Sequence, residues 1–233
     1  MTRTIDLTST TAAAAPALQF KVSYDTEPDF DYVFVEAHTG ADDWTTLPDA
    51  NGHTSTDTGI GCNDPGSTFW LDENPFLNHY ITRAAAPTPC PSTGTTGSWN
   101  AATGNSAGFQ DWKMDLSAYA GKQVEVSITY ASDPGSQGLG VFVDDAKVTT
   151  TDGTVTETSF EDGLGGWAVP GAPADSGPNA ADWKQSTTLG YVDGPGVATR
   201  NSLYWGFGLE GVTGAATRAT LVHDAMRYFN VVR

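Results

Sequence analysis

A turn signal at Asp152-Gly153 constrains the fold of this chain more than any other feature of its sequence. It lies between two runs rich in valine and threonine, Val141–Val148 and Val155–Phe160. An Asp-Gly pair between two such runs is a strong indication of a β-hairpin, because these residues tolerate the positive φ angles of a tight hairpin turn. The sequence therefore predicts at least one antiparallel pair of strands.

Apolar and polar residues alternate in Leu18–Tyr24 and in Val124–Tyr130, which predicts strands with one buried face. Tyr32–Ala37 is apolar on both faces and indicates a central strand. Ser202–Trp205 predicts a short strand, and the apolar spacing within Ala215–Phe229 predicts a closing helix. This pattern indicates a mainly β fold, an antiparallel jelly-roll-like β-sandwich with long irregular loops and one C-terminal helix.

The 233 residues suffice for one large β domain or two small ones. We expect the jelly-roll-like sandwich over residues 1–165. A loop-rich extension with the short strand and the terminal helix would follow over 166–233, packed on the sandwich. Residues 49–108 are mostly irregular and include a stretch of low complexity. Such a long loop is uncommon in a compact domain unless it is tied down or functional.

Cys62 and Cys90 are the only cysteines of the chain, and both lie within this irregular segment. Their spacing and the lack of a neighbouring histidine argue against a zinc site. We predict a disulfide that closes a loop of about 28 residues and stabilises the fold by about 3.5 kcal/mol in the chain-entropy model. Two free thiols are the alternative.

The chain carries 28 acidic against 11 basic residues, a formal net charge of −17. This charge repels phosphate backbones and anionic lipid surfaces, so neither nucleic acid nor a membrane is an expected partner. No apolar run reaches the about 18 residues of a membrane span, and the N-terminal segment lacks the continuous apolar core of a signal peptide. The acidity is compatible with Ca²⁺ binding, or it only keeps the surface solvated.

Two carboxylate pairs flank the predicted hairpin: Asp144 and Asp145 on its first strand, and Glu161 and Asp162 at the end of its second. Counting back from the turn brings the pairs roughly opposite each other. Ca²⁺ takes roughly six to eight oxygen ligands, so these carboxylates predict a calcium site. Turn capping on an acidic, solvated edge is the alternative.

The sequence contains no convincing catalytic centre. Gly104–Gly108 matches the G-x-S-x-G pattern around Ser106, but it lies in a low-complexity loop rather than in a strand-to-helix turn. Gly206–Gly211 matches G-x-G-x-x-G without room for the second strand and acidic residue of a dinucleotide site. None of the four histidines begins an H-x-x-E motif. We therefore predict no catalytic residue and expect no zinc in this chain.

The longer motifs of the chain are RTIDLT at 3–8, SYDTEPDFDYVFVEAHTGADDWTTLPDANGHT at 23–54, VFVDDAKV at 141–148, TSFEDGLGGWAVPGAP at 158–173 and SLYWGFGLEGVTGAATRATLVHDAMRYF at 202–229. In this order they resemble the C-terminal accessory region of secreted actinobacterial zinc carboxypeptidases. A similar module occurs in immune inhibitor A-type metallopeptidases, where it is a jelly-roll β-sandwich.

The resemblance implies a non-catalytic accessory module, secreted and extracellular, whose partner is the catalytic peptidase domain of the parent protein. The module would bind substrate or a polysaccharide or protein surface, or it would stabilise the parent enzyme. A free-standing carbohydrate-binding module is the alternative, since seven tryptophans and eight tyrosines offer rings on which sugars can stack.

Overall fold

The computed structural model has the mainly β fold that the sequence predicts, with two antiparallel four-stranded sheets packed face to face. It describes residues 1–62, 70–133, 135–136, 138–177, 182–186, 196–199, 202–205 and 215–228. Most successive strands belong to opposite sheets, so the chain crosses repeatedly from one layer to the other. The predicted β-sandwich is confirmed.

The sandwich strands are, in chain order, β1 (Thr2–Asp6), β2 (Ala17–Asp25), β3 (Tyr32–His38), β4 (Thr45–Thr46), β5 (Gln110–Asp115), β6 (Gln123–Ala131), β7 (Gly140–Thr150) and β8 (Gly153–Thr158). Sheet one has the order β1-β6-β3-β4, and sheet two has the order β5-β2-β7-β8. The remaining elements include the paired strands β9 (Gly196–Thr199) and β10 (Ser202–Trp205) and the helices α1 (Trp70–Glu73) and α2 (Ala215–Tyr228).

The first hydrophobic core fills the space between the two sheets. Its members are the apolar residues of the alternating strands, because every second side chain of a strand points to the same face. Sheet two contributes Leu18, Phe20, Val22, Trp112, Met114, Ala146 and Val148. Sheet one contributes Val33, Val35, Ala37, Val124, Val126 and Ile128.

The outer face of sheet one is covered by described residues of the irregular segment 49–108, and we call this segment the cover segment. Tyr32 and Phe34 of β3 face this segment, and their rings pack against Trp99 at centroid distances of 5.3 and 4.9 Å. Other members of this second core are Leu71, Leu77, Tyr80 and Ile81. Strand β3 is therefore buried on both faces, which explains why most of its residues are apolar.

The predicted disulfide is confirmed. Cys62 and Cys90 are bonded, their Cα atoms are 6.5 Å apart, and both belong to the second core. The bond links two points of the cover segment that are 28 positions apart in sequence. A long irregular segment is thereby tied down on the sheet that it covers.

Several strands escaped the sequence prediction, among them β1, β5 and β9, and β8 has different bounds. Strand β1 was not predicted, and neither was β5, in which Trp112 and Met114 point into the core while their neighbours point outward. Strand β8 begins directly after the turn and ends at Thr158. Phe160 lies beyond that end, with a positive φ of 57° that interrupts the extended backbone.

Residues beyond position 165 also contact the sandwich. Trp167 is buried in the first core, Trp183 packs against that core, and Ala168 pairs with Thr2 of β1. The predicted terminal helix is present as α2. In the described part of the chain there is no helix with the length and apolarity needed to cross a lipid bilayer.

Candidate functional site

The outer face of sheet two carries a band of charged side chains. Opposite residues of antiparallel strands project from the same face, so strand pairing arranges these side chains in rows across the sheet. The rows are, in order across the sheet, Asp111, Lys21 and Asp144, and then Lys113, Gln19, Lys147 and Glu157. Ammonium and carboxylate groups therefore lie side by side on this face.

A groove of about 910 Å³ lies over this band. Its floor is formed by β2, β5 and β7, and its walls by Asn51 of the cover segment and by residues 157–165. Three of the five lysines of the chain line it, namely Lys21, Lys113 and Lys147, although the chain as a whole is strongly acidic. A ligand in the groove thus meets both signs of charge.

A bulge in β7 directs Asp145 into the groove. The pairing of β2 with β7 shifts between Gln19 and Lys21, and Asp145 takes a positive φ of 50°. A bulge re-aims side chains, and the left-handed backbone conformation is one that aspartate tolerates better than most residues other than glycine. The Asp145 carboxylate lies 2.7 Å from Nζ of Lys21, and the two side chains are 48% and 47% exposed. This pairing raises the pKa of Lys21.

The groove wall beyond β8 is held by contacts with distant parts of the chain. The Arg3 guanidinium donates to the carbonyl of Gly165 at 2.7 Å, and the Gln185 amide donates to the carbonyl of Phe160 at 2.6 Å. Gly165 has a φ of 55°, and a Cβ atom there would lie 2.1 Å from the Thr158 hydroxyl. Glycine is therefore required at this position, and the wall has a defined conformation.

The four carboxylates of the predicted calcium site are dispersed around this wall. Asp145 and Asp162 line the groove, while Glu161 is exposed. Asp144 is half-buried, and its Oδ1 accepts a hydrogen bond from the backbone N–H of Asp145. Within the described ranges, no group of three or more acidic, histidine or cysteine side chains is arranged to hold a metal ion. Calcium binding at the hairpin stays a prediction. The positive charge that lies next to Asp145 is the ammonium group of Lys21.

The aromatic residues of the groove lining belong to the core beneath it. Phe20 and Trp112 belong to the lining, but both residues are buried and their rings pack together in the first core. The exposed Phe109 lies next to β5, outside the lining. The groove surface is therefore suited to ion pairs and hydrogen bonds rather than to stacking.

The serine of the G-x-S-x-G match is used in hydrogen bonds to the backbone. Ser106 is buried, and its hydroxyl donates to the carbonyl of Gly108 at 2.7 Å. The same hydroxyl accepts a hydrogen bond from the backbone N–H of Tyr24 at 2.8 Å, next to the end of β2. Ser106 thus connects the backbone of β2 to the backbone of the loop that precedes β5. The match at Gly206–Gly211 lies outside the described residues.

His38, His53 and His79 pack against or bond with neighbouring side chains. His38 and His79 lie on either side of Trp44, with ring centroids 3.6 and 5.8 Å from the Trp44 ring. Burial lowers the pKa of His79. His53 forms a hydrogen bond with Asp49 at 2.6 Å. Ring packing and hydrogen bonding explain the positions of these three imidazole rings.

No protein-family model matches this chain, and no curated protein is significantly similar to it. Function must therefore be inferred from the residues and their arrangement.

Proposed function

We propose that this chain is a non-catalytic accessory module of a secreted zinc carboxypeptidase, and that it binds polypeptide in the groove over sheet two. The paired rows of ammonium and carboxylate groups on the groove floor carry this proposal. The motifs that resemble the accessory region of those enzymes support the assignment to a peptidase. The module holds a polypeptide substrate or a protein surface close to the catalytic domain of its parent.

A polypeptide suits this floor because it carries both charges and a row of amides. Lys113 and Lys147 offer ammonium groups to acidic side chains of the ligand, and Asp111 and Glu157 accept from basic ones. Each exposed ion pair contributes only about 0.2–1 kcal/mol, so binding requires several such contacts along an extended ligand. Affinity should consequently fall as salt screens the charges.

A polysaccharide is the second candidate ligand, because the amides and carboxylates of the lining can also bond with sugar hydroxyls. The burial of Phe20 and Trp112 argues against it, since sugar recognition commonly uses a ring face that the ligand can reach. We therefore favour a polypeptide.

The test is a titration of the ¹⁵N-labelled chain with an unfolded polypeptide and, separately, with a soluble cell-wall polysaccharide. We expect the polypeptide to shift backbone amide signals of β2, β5 and β7. Replacing both Lys113 and Lys147 by glutamine should weaken binding by about tenfold or more at low salt, a loss of about 1.4 kcal/mol. The matched control is Lys122→Gln, because Lys122 is exposed and lies outside the groove.

Two results would contradict this proposal. Shifts caused by the polysaccharide alone would identify a carbohydrate-binding module. An equal loss of affinity in Lys122→Gln and in the groove double variant would show that binding is a general charge effect rather than a property of the groove.

A further inference from the structure

Two buried carboxyl groups lie at the same end of sheet one. Asp31 directly precedes β3, and Asp133 follows the end of β6; these strands are paired, with Tyr32 opposite Ala131. Asp31 is 0% exposed and Asp133 is 7% exposed. Burial raises the pKa of Asp31, and the charge of Asp133 adds to that rise. The two carboxyl groups therefore interact in a part of the protein with little access to water.

One oxygen of Asp31 has no compensating contact. Its Oδ2 accepts hydrogen bonds from the Tyr130 hydroxyl at 2.8 Å and from the backbone N–H of Glu27 at 3.1 Å. Its Oδ1 is buried and has no hydrogen-bond partner among the described residues. No ion pair in the same ranges includes Asp31 or Asp133. A buried carboxylate oxygen in this state is strongly unfavourable unless something neutralises it.

Protonation of Asp31 is the alternative to a bound cation. The backbone N–H of Glu27 can only donate, so Oδ2 must remain an acceptor and the proton would have to sit on Oδ1. A proton there would need an acceptor, and the Asp133 carboxylate is the group whose charge acts on Asp31. A cation next to Oδ1 compensates this oxygen and reduces the repulsion from Asp133 at the same time.

We propose that Asp31 Oδ1 and the Asp133 carboxylate bind Ca²⁺ at this end of sheet one. Carboxylate oxygens without nitrogen or sulfur ligands suit a hard cation, and Ca²⁺ completes an irregular coordination shell with carbonyls and water. The backbone N–H of Gly135 donates to Asp133 Oδ1 at 2.7 Å, which orients that carboxylate as outer-shell contacts orient metal ligands. This site lies at an end of sheet one and is separate from the hairpin carboxylates, of which Asp144 and Asp145 lie on β7 of sheet two.

The experiment compares thermal unfolding of the full chain in excess chelator and in millimolar Ca²⁺. We expect Ca²⁺ to raise the Tm of the wild type and to leave that of Asp31→Asn unchanged. Asparagine keeps an oxygen acceptor for Tyr130 and Glu27, so the variant should fold. In chelator, Asp31→Asn should melt at or above the wild-type temperature, because the repulsion from Asp133 has been removed.

A double variant at the hairpin is the matched control: Asp144→Asn with Glu161→Gln removes two carboxylates from the other candidate site. It should retain the full response to Ca²⁺. Terbium luminescence provides a second readout, because the Tyr130 ring beside Asp31 can sensitise a bound Tb³⁺ ion. Affinity for Tb³⁺ should fall by about 10–100-fold in Asp31→Asn and in Asp133→Asn, and remain unchanged in the hairpin variant.

A wild-type Tm that is the same in Ca²⁺ and in chelator would overturn this proposal. So would a Ca²⁺ response that persists in Asp31→Asn but disappears in the hairpin variant, which would place the ion at the hairpin instead. Neither result bears on polypeptide binding, which is read from amide shifts in sheet two.

Discussion

Glu36 is a carboxyl group enclosed between sheet one and the cover segment. It lies on β3 and is only 4% exposed. The Tyr80 hydroxyl donates to its Oε1 at 2.7 Å, and the Thr129 hydroxyl donates to its Oε2 at 2.5 Å. Burial raises the pKa of Glu36, and the two hydrogen bonds oppose that rise. Folding therefore favours the protonated form of this side chain.

The pH dependence of stability follows from this preference. Between the ordinary glutamate pKa and the raised pKa of Glu36, the folded state binds more protons than the unfolded state, so the free energy of unfolding falls as pH rises. Glu36→Gln keeps the shape of the side chain and removes the charge. The variant should therefore gain stability relative to the wild type as pH rises through this window, as measured by urea unfolding at several pH values.

Glu36→Ala serves as the comparison, because it removes the hydrogen-bond acceptor altogether. It should lower the free energy of unfolding by about 1–3 kcal/mol for each hydroxyl left without a partner. A difference between Glu36→Gln and the wild type that is the same at every pH would contradict the assigned pKa shift.

The residues of the two candidate sites show where sequence reasoning stops. Asp145 stands out in the sequence as a carboxylate beside a predicted hairpin, but its partner Lys21 is 124 positions away. Their contact depends on the pairing of β2 with β7 and on a bulge that no local pattern announces. Asp31 likewise becomes unusual only when folding buries it near Asp133. Residue types can be read locally, whereas pairing and burial arise from the fold.

At the scale of elements, the strands with a clear pattern were predictable. Strands β2 and β6 alternate cleanly, and most residues of β3 are apolar because the cover segment and the first core bury its two faces. Strand β1 is short and mostly polar, so its sequence has no clear strand pattern. Its extended conformation is stabilised by pairing with β6. Strand β5 follows a glycine-rich loop, and its alternation is brief. Short edge strands depend on their neighbours more than on their own residues.

The cover segment is attached to β4 by close backbone contact. The carbonyl of Ser98 accepts hydrogen bonds from the backbone N–H and the hydroxyl of Thr46, at 3.2 and 2.7 Å. A Cβ atom on Gly97 would lie 2.3 Å from the carbonyl oxygen of Trp44 and 2.6 Å from Cα of Thr45. Only glycine permits this approach at position 97.

Gly97→Ala should therefore force the cover segment away from β4. We expect the free energy of unfolding to fall by about 1–3 kcal/mol, the usual effect of overpacking a tight contact, as measured by chemical denaturation. Gly40→Ala is the matched control, because the nearest atom to a Cβ there is 4.0 Å away. Equal stability of Gly97→Ala and Gly40→Ala would show that the close contact does not constrain the segment.

For the molecule as a whole, stability depends on keeping a long irregular segment in place. The first core is built by the strands, but the second core forms only when the cover segment lies on sheet one. The Cys62–Cys90 bond restricts the unfolded chain within that segment. Its contribution therefore extends to sheet one, which the segment covers.

Replacing Cys62 and Cys90 together by alanine should lower the free energy of unfolding by about 3.5 kcal/mol, the chain-entropy value for a loop of this length. Guanidinium unfolding measures the loss. The wild type unfolded in the presence of a reductant should show the same loss. Unchanged stability under both conditions would mean that the bond does not restrict the unfolded chain.

The unequal covering of the two sheets has a consequence for how this chain can diverge. Substitutions on either face of sheet one disturb a core, whereas the charged side chains of the groove floor belong to neither core. Surface substitutions of this kind usually change stability by no more than about 0.5 kcal/mol. The groove floor can therefore accumulate mutations, or be randomised in a library, while the scaffold beneath it stays folded, and new ligand preferences can evolve on that face alone.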